Sequence, residues 1–449
     1  MTGRGWLGLL LVILLAGSGG LIWFRAEGEA PTVEGPEALD VGAAGREIAL
    51  EIADSKSGLR QIRVSILREG AEKIVLERAF AGSFVGGGVP PQLPERVTLT
   101  IDPKAMELAD GESLLSVVAH DWSWRNSFRG NETKWQIPLR IDRKKPPVRI
   151  SSGLTYVDRG GSGVVAYTLG EATVRDGVAI GDAFYRGYPA PGADAASRRR
   201  VAVFAVPTHA PKNPKIEVVA EDAAGNLGRA SWSVVLKEKM LPKANINLSA
   251  RFLETKVESL AAAQEIDASD LSNAFDQINT ELRAKNEAQI REVVTNSSET
   301  QLWENAFTQL RNSKVTSRFA EQRSYFVDGR PVSKATHFGY DLASTAGTPI
   351  EASNTGLVVF ADDLGIYGNC VIIDHGLGIF SLYAHLSSIG VSVGDRVEKN
   401  AELGRSGDTG LAGGDHLHFA VIVGGTYVEP LEWWDPEWVR THVDARLAR

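Results

Sequence analysis

The 449-residue sequence predicts a mainly β protein that contains one helical segment. Residues 30–240 alternate apolar and polar side chains in short runs that turn residues interrupt, which is the pattern of half-buried β-strands. In residues 268–310 glycine and proline are absent, and apolar residues recur at helical spacing. From residue 313 onward the chain returns to short apolar runs separated by glycines, which predicts a compact strand-rich domain.

The composition is that of a folded, weakly acidic protein and argues against some classes of function. With 43% hydrophobic and 23% charged residues, the chain is long enough for several domains that each bury a core. A formal net charge of -8 argues against a nucleic-acid partner, because such proteins usually present a basic face. The single cysteine, Cys370, excludes an intrachain disulfide and a thiolate-rich metal cage. Its apolar neighbours predict that it lies in a buried strand.

An uncharged, mainly apolar stretch occupies residues 6–24. Because a helix of about 20 such residues can cross a bilayer, we expect a single transmembrane helix in an N-terminal anchor, residues 1–29. A cleaved signal peptide with its apolar part at residues 7–16 is the alternative. The return of apolar residues at 21–24 favours the anchor. Either interpretation places the remaining chain outside the cytoplasm, on the periplasmic or cell-wall side of the cytoplasmic membrane.

Two segments of the β-rich region look alike and predict a pair of β-sandwich modules. In each segment a strand-like run leads into an Asp…Asn turn, and a tryptophan-containing strand follows. The two turns run from Asp121 to Asn126 and from Asp222 to Asn226. A pair of prolines separates the segments, so we expect modules at residues 30–145 and 146–241. The turn pattern resembles that of bacterial immunoglobulin-like modules.

The helical segment is predicted as a linker, residues 242–312, before the last domain. Four apolar side chains recur at helical spacing, namely Leu271, Phe275, Ile278 and Leu282. Ser298 and Gln301 have the spacing of a capping box and predict a second helix over residues 302–310. We interpret both helices as amphipathic and packed against a neighbouring domain. Their position also makes them candidates for covering the surface of the domain that follows.

Five of the eight histidines fall within residues 337–418, and this concentration directs attention to the last domain. His416 and His418 flank a single leucine at the start of an apolar, strand-like run. Residues two apart in a strand point to the same face, so both imidazoles would project side by side while Leu417 enters the core. Two surface histidines on an edge strand would be the alternative if this pair stood alone.

Further polar residues make a metal site the better interpretation. His337 and Asp341 are four residues apart, which places both on one side of an extended segment, and His385 ends another strand-like run. Imidazole and carboxylate groups are good Zn²⁺ ligands, and three protein ligands with one open position are typical of a catalytic zinc site. The surplus histidines suit acid–base chemistry beside the metal. His375 follows a strand into a turn and is predicted to be structural or exposed.

A series of short motifs then extends over residues 313–434. In order they are Thr316-Ser317-Arg318-Phe319, His337-x-x-x-Asp341, Gly347-Thr348-Pro349-Ile350-x-Ala352, Gly368-Asn369-x-Val371-x-Ile373-x-His375-Gly376, Leu382-Tyr383-Ala384-His385-Leu386, Val393-Gly394-Asp395-x-Val397, His416-Leu417-His418-Phe419 and Val428-x-Pro430-Leu431. Together they resemble the lysostaphin-type, or LytM-like, zinc endopeptidases of bacterial cell walls. Phe338 and Tyr340 depart from the smaller residues usual between the first two ligands, and Ala320 stands where glycine is common.

The resemblance implies a β-rich zinc peptidase domain at residues 313–449 that binds one Zn²⁺ per chain. It assigns His337, Asp341 and His418 as zinc ligands. The residues alone leave open whether His416 or His418 binds the metal. His416 and His385 become the unliganded pair. On this basis His416 would act as general base, and His385 would donate a hydrogen bond to the developing oxyanion.

The expected function is therefore that of a membrane-anchored zinc metalloendopeptidase that hydrolyses peptide bonds in peptidoglycan stems or cross-links during cell-wall remodelling. The alternative is a non-catalytic LytM-like regulator that binds and activates other cell-wall hydrolases. The presence of all five polar residues favours the enzyme. Expected partners are peptidoglycan, the inner membrane through the N-terminal helix, and cell-wall or division proteins through the β-modules.

Overall fold

The structure, a computed structural model, describes residues 3–88, 94–193 and 197–448. The chain divides into two compact units, Met1–Lys145 with Glu221–Asn226, and Pro146–Ala220 with Leu227–Arg449. The protein is mainly β with some helices, as predicted. The immunoglobulin-like character of the modules is not confirmed, and the finer domain boundaries stay predictions.

The first unit begins with the helix Gly3–Arg25, which lies where the sequence predicts a transmembrane helix. Within the described part of the chain, no helix is both long and apolar enough to cross a membrane. The predicted transmembrane helix is therefore not confirmed.

Two β-sheets build the body of the first unit. The three-stranded sheet contains, in spatial order, Thr32–Glu34, Arg46–Ala53 and Glu95–Ile101. The five-stranded sheet contains Leu39–Val41, Glu132–Ile141, Gly111–Asp121, Leu59–Arg68 and Ala71–Ala79. A small ribbon pairs Gly82–Ser83 with Gly87–Gly88, and a short turn with a left-handed backbone covers Arg125–Phe128. Alternate residues such as Ile62, Val64 and Ile66 are buried, as period-2 patterning requires.

The two Asp…Asn turns differ in length, and the prediction that the first one runs from Asp121 to Asn126 is wrong. The Asp222 carboxylate accepts hydrogen bonds from the N–H and the side-chain amide of Asn226, at 2.8 and 2.9 Å. The Asp121 carboxylate accepts the corresponding bonds from Asn131, at 2.7 and 2.8 Å, and not from Asn126. The first loop is longer, and Asn126 instead donates to the Gly130 carbonyl within it.

The second unit starts with a further set of strands. One four-stranded sheet contains Val148–Ile150, Ser162–Leu169, Arg199–Ala205 and Tyr188–Pro189. Another contains Ala183–Arg186, Arg175–Ile180, Ile216–Glu221 and Leu227–Ala230, and Thr155–Asp158 pairs with Val234–Lys237.

Two helices follow in the segment predicted to be helical. The first runs through Ala250–Phe252, Leu253–Val257 and Glu258–Ala263, and the second through Leu271–Gln277, Ile278–Leu282 and Arg283–Val293; the middle part of each is a π-helical turn. Asp270 caps the second helix by accepting hydrogen bonds from the N–H groups of Ser272 and Asn273. Phe275, Ile278 and Leu282 are buried, which confirms the predicted apolar face.

The helix predicted over residues 302–310 is wrong. These residues form an irregular segment, and two of their N–H groups bond to distant carbonyls: Leu302 to His375 at 2.8 Å and Phe307 to Trp433 at 2.8 Å. Trp303 is almost completely buried and its ring meets that of Trp433 edge-on. Tertiary packing of two aromatic side chains therefore overrides the local capping pattern.

The last domain is built on one large antiparallel sheet. Its main path is Lys314–Ser317, Tyr340–Ala343, Leu417–Val423, Ile379–Ile389, Asn369–Gly376, Gly356–Asp363 and Arg396–Val397, with Pro349–Glu351, Glu402–Ser406 and Thr426–Val428 joined beside it. A three-stranded sheet of Lys243–Asn247, Glu321–Val327 and Arg330–His337 adjoins it. Short helical turns close the chain at Pro430–Trp434, Pro436–Trp438, Val439–Asp444 and Ala445–Leu447. The predicted strand-rich character of this domain is confirmed, and Cys370 is fully buried in the strand Asn369–Gly376.

A buried carboxyl group joins the C-terminal turns to the β-strands that begin the second unit. Glu432 accepts hydrogen bonds from the N–H and the hydroxyl of Ser162, both at 2.8 Å. Burial, opposed by these bonds and aided by the nearby Asp158 and Glu429, raises the pKa of Glu432 to about 8.

This raised pKa predicts how stability depends on pH. The folded carboxyl group stays protonated up to about pH 8, whereas the unfolded one loses its proton near pH 4.5. The folded state therefore holds more protons in this window, and the free energy of unfolding falls by about 1.4 kcal/mol per pH unit from this one group. Glu432→Gln keeps a hydrogen-bond acceptor and should remove that slope in urea unfolding between pH 5 and 8. Glu437→Gln, at an exposed position, is the control; equal slopes for Glu432→Gln and the unsubstituted chain would contradict the assignment.

Candidate active site

The register of three central strands brings together side chains that are distant in sequence. His418 lies in the strand Leu417–Val423, and Asp341 is its direct partner in the neighbouring strand. On the other side His418 pairs with Ala384, so that His385 follows at once. Directly paired residues in antiparallel strands share a face of the sheet. Strand pairing therefore places Asp341 beside His418.

His337 reaches the same point from the adjoining three-stranded sheet. It ends the strand Arg330–His337, and the dipeptide Phe338-Gly339 links it to the strand of Asp341. His337 Nε2 and His418 Nδ1 each lie 2.9 Å from Asp341 Oδ1, and these two nitrogens are 2.9 Å apart. All three residues are buried. Three potential ligand atoms thus converge at a single point.

The surroundings of the ring nitrogens show that His337, Asp341 and His418 fit a divalent metal. His337 Nδ1 lies 3.1 Å from the Arg318 carbonyl oxygen, which only accepts, so Nδ1 carries the hydrogen and Nε2 of the neutral ring offers a lone pair. His418 Nε2 is buried without a hydrogen-bond partner. Burial, with the neighbouring imidazoles opposing Asp341, lowers the pKa of His418 to about 4, so the ring is neutral at pH 7. Two imidazoles and one carboxylate form a donor set that suits Zn²⁺.

Arg323, which the sequence did not single out, fixes the orientation of Asp341. Its guanidinium donates to Asp341 Oδ2 at 3.0 Å and to Glu321 at 2.9 Å. Oδ2 is thereby occupied, and Oδ1 alone faces the two imidazoles. Burial would raise the pKa of Asp341, but the imidazoles, His337 first among them, hold that pKa well below its usual range. The carboxylate is therefore ionised and ready to bind a cation.

His385 and His416 form a second pair beside the three ligand candidates. Their ring centroids are 4.8 Å apart, and His416 Nε2 lies 3.6 Å from Asp341 Oδ1. His416 Nδ1 lies 2.7 Å from the Gly414 carbonyl oxygen, and His385 Nδ1 lies 2.9 Å from that of Thr409. Because carbonyls only accept, both Nδ1 atoms carry hydrogen, and both Nε2 atoms are proton acceptors in the neutral rings.

The backbone and the charges around these two histidines differ. His385 has a φ of 64° in the left-handed region, which is uncommon for a residue with a side chain and turns this ring out of the regular strand direction. Burial and the neighbouring imidazoles set the pKa of His385 well below its usual value. Burial alone would also lower the pKa of His416, but its attraction to the Asp341 carboxylate, 3.6 Å away, raises it.

Gly339 is required by the close approach of the His418 ring. A Cβ atom at this position would lie 2.6 Å from His418 Cε1 and 2.7 Å from Nε2. The residues on either side, which depart from the family pattern, pack away from the ligand atoms: Phe338 stacks on Tyr427 at 5.4 Å, and Tyr340 meets Trp434 edge-on at 5.3 Å. These aromatic residues therefore shape the surroundings of the site and leave its donors in place.

A cavity of about 340 Å³ lies over the five polar residues. Part of its wall comes from the segment before the domain, with Leu248, Phe252, Phe275, Arg283 and Glu287. The helical segment thus borders the candidate site, as its position in the sequence suggested.

All five residues predicted for the site lie together in the structure, and their roles stay predictions. His375 lies outside the cavity, fully buried, with Nδ1 bonded to the Thr355 carbonyl at 2.8 Å and Nε2 to the Ser381 hydroxyl at 2.6 Å. The structural role predicted for it agrees with these contacts.

Comparison with known proteins identifies the class of this domain. Residues 335–430 match Peptidase family M23, so this part of the chain is an M23 (LytM-type) peptidase domain. Peptidoglycan DD-endopeptidase ShyA of Vibrio cholerae is 37% identical over 119 residues, which is 26% of this chain and 27% of that protein. DD-carboxypeptidase/endopeptidase Mpg of Neisseria meningitidis is 40% identical over 95 residues, 21% of this chain and 22% of that protein.

Among solved structures, the catalytic domain of lysostaphin from Staphylococcus simulans is similar to 29% of this chain over 98% of its own length, with 28% identity and a TM-score of 0.25. The chain thus matches only about a quarter of the length of the curated relatives named above.

The contact between Gly339 and His418 gives a test of the site geometry. Gly339→Ala should displace the His418 ring and weaken binding of a divalent metal roughly 10- to 100-fold, the usual effect of disturbing how a ligand is held. Affinity is measured by competition with a chromogenic chelator. Gly413→Ala is the matched control, since its added Cβ would meet no atom within 4 Å. Equal affinities of the two variants would show that the close approach does not matter.

Proposed function

We propose that this protein is a zinc-dependent endopeptidase that hydrolyses peptide cross-links in peptidoglycan. The observation that carries the proposal is the convergence of His337, Asp341 and His418 with two unliganded histidines beside them. The M23 domain and its similarity to a peptidoglycan DD-endopeptidase support a cell-wall peptidase rather than a general protease. His337 Nε2, Asp341 Oδ1 and His418 Nδ1 would hold the metal.

When bound, zinc supplies a Lewis acid that makes water nucleophilic near neutral pH and polarises the scissile carbonyl. The protein's own contribution is to place proton acceptors. His416 Nε2 is an acceptor because Nδ1 donates to the Gly414 carbonyl, and it lies beside the three ligand candidates. We therefore assign His416 as the general base that removes a proton from the attacking water and later returns it to the leaving amine.

The tautomer of His385 changes the role that the sequence suggested. A neutral His385 that donates from Nδ1 to the Thr409 carbonyl has no hydrogen on Nε2 with which to stabilise an oxyanion. Donation from Nε2 requires a second proton, and the lowered pKa of His385 opposes this in the metal-free protein. We propose instead that His385 Nε2 accepts the second hydrogen of the attacking water and so orients it toward the carbonyl.

The same proposal places the catalytic domain on the periplasmic or cell-wall side of the cytoplasmic membrane. The uncharged apolar residues 6–24 support it, because they have the composition of an export signal or anchor. The proposed substrate also lies there. Fractionation of cells that express the chain, with protease added to intact spheroplasts, tests this location; protection of the catalytic domain from the protease would contradict it.

Activity is tested directly with purified protein, zinc and defined cross-linked muropeptides analysed by mass spectrometry. The expected result is release of the uncross-linked muropeptides, loss of activity with a chelator and recovery on addition of zinc. A chain that binds zinc but releases no product from any cross-linked muropeptide would contradict the enzyme and favour the non-catalytic regulator.

Two variants distinguish a metal ligand from a general base. The first is His418→Ala. It removes one of three ligands, so bound zinc should fall from one ion per chain to near zero and activity should fall to background. Zinc content is measured by elemental analysis after gel filtration. His209→Ala, which replaces an exposed histidine outside the five-residue cluster, should retain both zinc and activity. Normal zinc content in His418→Ala would contradict the ligand assignment.

The second variant is His416→Ala, which should keep its zinc. Loss of a general base typically lowers the rate by about 10²- to 10⁴-fold, so kcat should fall by this amount while KM changes little. Kinetics on a defined muropeptide, with zinc content measured on the same preparation, distinguish this result from loss of the metal. An unchanged kcat would exclude His416 as the base.

A further inference from the structure

The first unit carries an exposed group of apolar side chains far in sequence from the peptidase domain. We call Phe84, Val85, Trp124 and Phe128 the aromatic patch. Phe84, Val85 and Phe128 remain 48%, 61% and 54% exposed. The Phe84 ring lies 5.1 Å from that of Phe128 and 5.7 Å from that of Trp124, between ring centroids. Several large apolar side chains held together in contact with solvent are typical of an interaction surface.

The backbone holds this patch in place at a cost. Asn126, Ser127 and Phe128 have φ values of 52°, 58° and 68°, all in the left-handed region that side chains disfavour. Trp124 Nε1 donates to the Phe84 carbonyl at 2.7 Å and so ties the two loops of the patch together. Strained backbone that presents an exposed aromatic ring indicates a role in recognition rather than in the core.

The patch adjoins the end of the N-terminal helix. The N–H of Trp124 donates to the Arg25 carbonyl at 2.6 Å, and the Arg125 guanidinium donates to the Ala26 carbonyl at 2.9 Å. The last turns of the helix expose further apolar side chains, of which Trp23 is 83% exposed. The end of the helix, with its exposed apolar side chains, is therefore hydrogen-bonded to the loop that carries Trp124 and Phe128.

The charged residues near the aromatic patch indicate what kind of partner the patch binds. Residues 80–88 and 122–130 contain no aspartate or glutamate, whereas Arg125 and Arg129, which are neighbours of Trp124 and Phe128 in the sequence, are exposed. Tryptophan and phenylalanine with flanking arginines suit the boundary between lipid headgroups and acyl chains, where cations meet anionic phosphates. We propose that the aromatic patch rests on the surface of a lipid bilayer that contains anionic lipids, and so fixes the first unit against the membrane.

A single fluorescent label tests the proposal on the full chain. Cys370, the only cysteine, is fully buried, so a new surface cysteine can be labelled selectively, with the unsubstituted chain as the labelling control. Val85→Cys places an environment-sensitive dye in the patch. Lys104→Cys places the dye in the turn between the strands Glu95–Ile101 and Gly111–Asp121. This turn precedes the strand Gly111–Asp121, whereas the loop that carries Trp124 and Phe128 of the aromatic patch follows it.

With vesicles of phosphatidylcholine and phosphatidylglycerol, emission from residue 85 should shift to shorter wavelength and be quenched by spin-labelled lipid. Emission from residue 104 should stay as in buffer. Two results would overturn the proposal: equal, weak quenching at both positions, or a shift at residue 85 that appears without vesicles as protein concentration rises, which indicates self-association.

Phe128→Asn provides a second measurement in the Val85→Cys chain. Asparagine tolerates the left-handed region, so this substitution should leave Tm unchanged or raise it. Loss of the ring should reduce lipid quenching at residue 85. A lower Tm with unchanged quenching would show that the rings serve the fold and would contradict a membrane contact.

Discussion

The pairing of Asp341 with His418 across two adjacent antiparallel strands is the interaction on which the candidate site depends. It brings Asp341 Oδ1 within 2.9 Å of His418 Nδ1, although the two residues lie 77 positions apart. Strand register has no intermediate setting, because a slip of one residue would turn one of the two side chains to the opposite face. The large sheet, with its buried central strands, makes that slip costly, since every apolar residue of the strand would leave the core. The same strand register is therefore required both for packing of the core and for the geometry of the site.

Around this pair the main chain controls which ring nitrogens are free. The carbonyls of Arg318, Thr409 and Gly414 each accept a hydrogen bond from the Nδ1 atom of a different histidine. As a result three imidazoles present Nε2 as an acceptor, one toward the ligand cluster and two beside it. Arg323 completes the arrangement by occupying the second oxygen of Asp341. Backbone carbonyls therefore fix the tautomers of these three histidines, so that His337 can act as a metal ligand and His385 and His416 can act as proton acceptors.

Much of the last domain could be predicted from sequence because its signals are local. The apolar run that begins at Leu417 forms the strand Leu417–Val423, as its pattern predicts, and His416 and His418, two residues apart, lie together. Arg323 could not be found in this way, because its contact with Asp341 depends on the strand Glu321–Val327 pairing with the strand that ends at His337. The tautomers of the site histidines could likewise not be predicted, because the sequence does not show which backbone carbonyl lies beside each ring. Local patterns also misled where packing decided the outcome, as at Trp303 and Asn126.

The central claim is that His337, Asp341 and His418 bind one catalytic zinc ion while His385 and His416 stay free. Anomalous diffraction at the zinc absorption edge, from crystals of the zinc-loaded chain, tests it most directly. The account predicts a single peak in the peptidase domain at roughly 2.0–2.2 Å from His337 Nε2, Asp341 Oδ1 and His418 Nδ1, with an open position facing the cavity. A peak bonded to His385 or His416, or no peak between the three ligand atoms at full zinc loading, would contradict it.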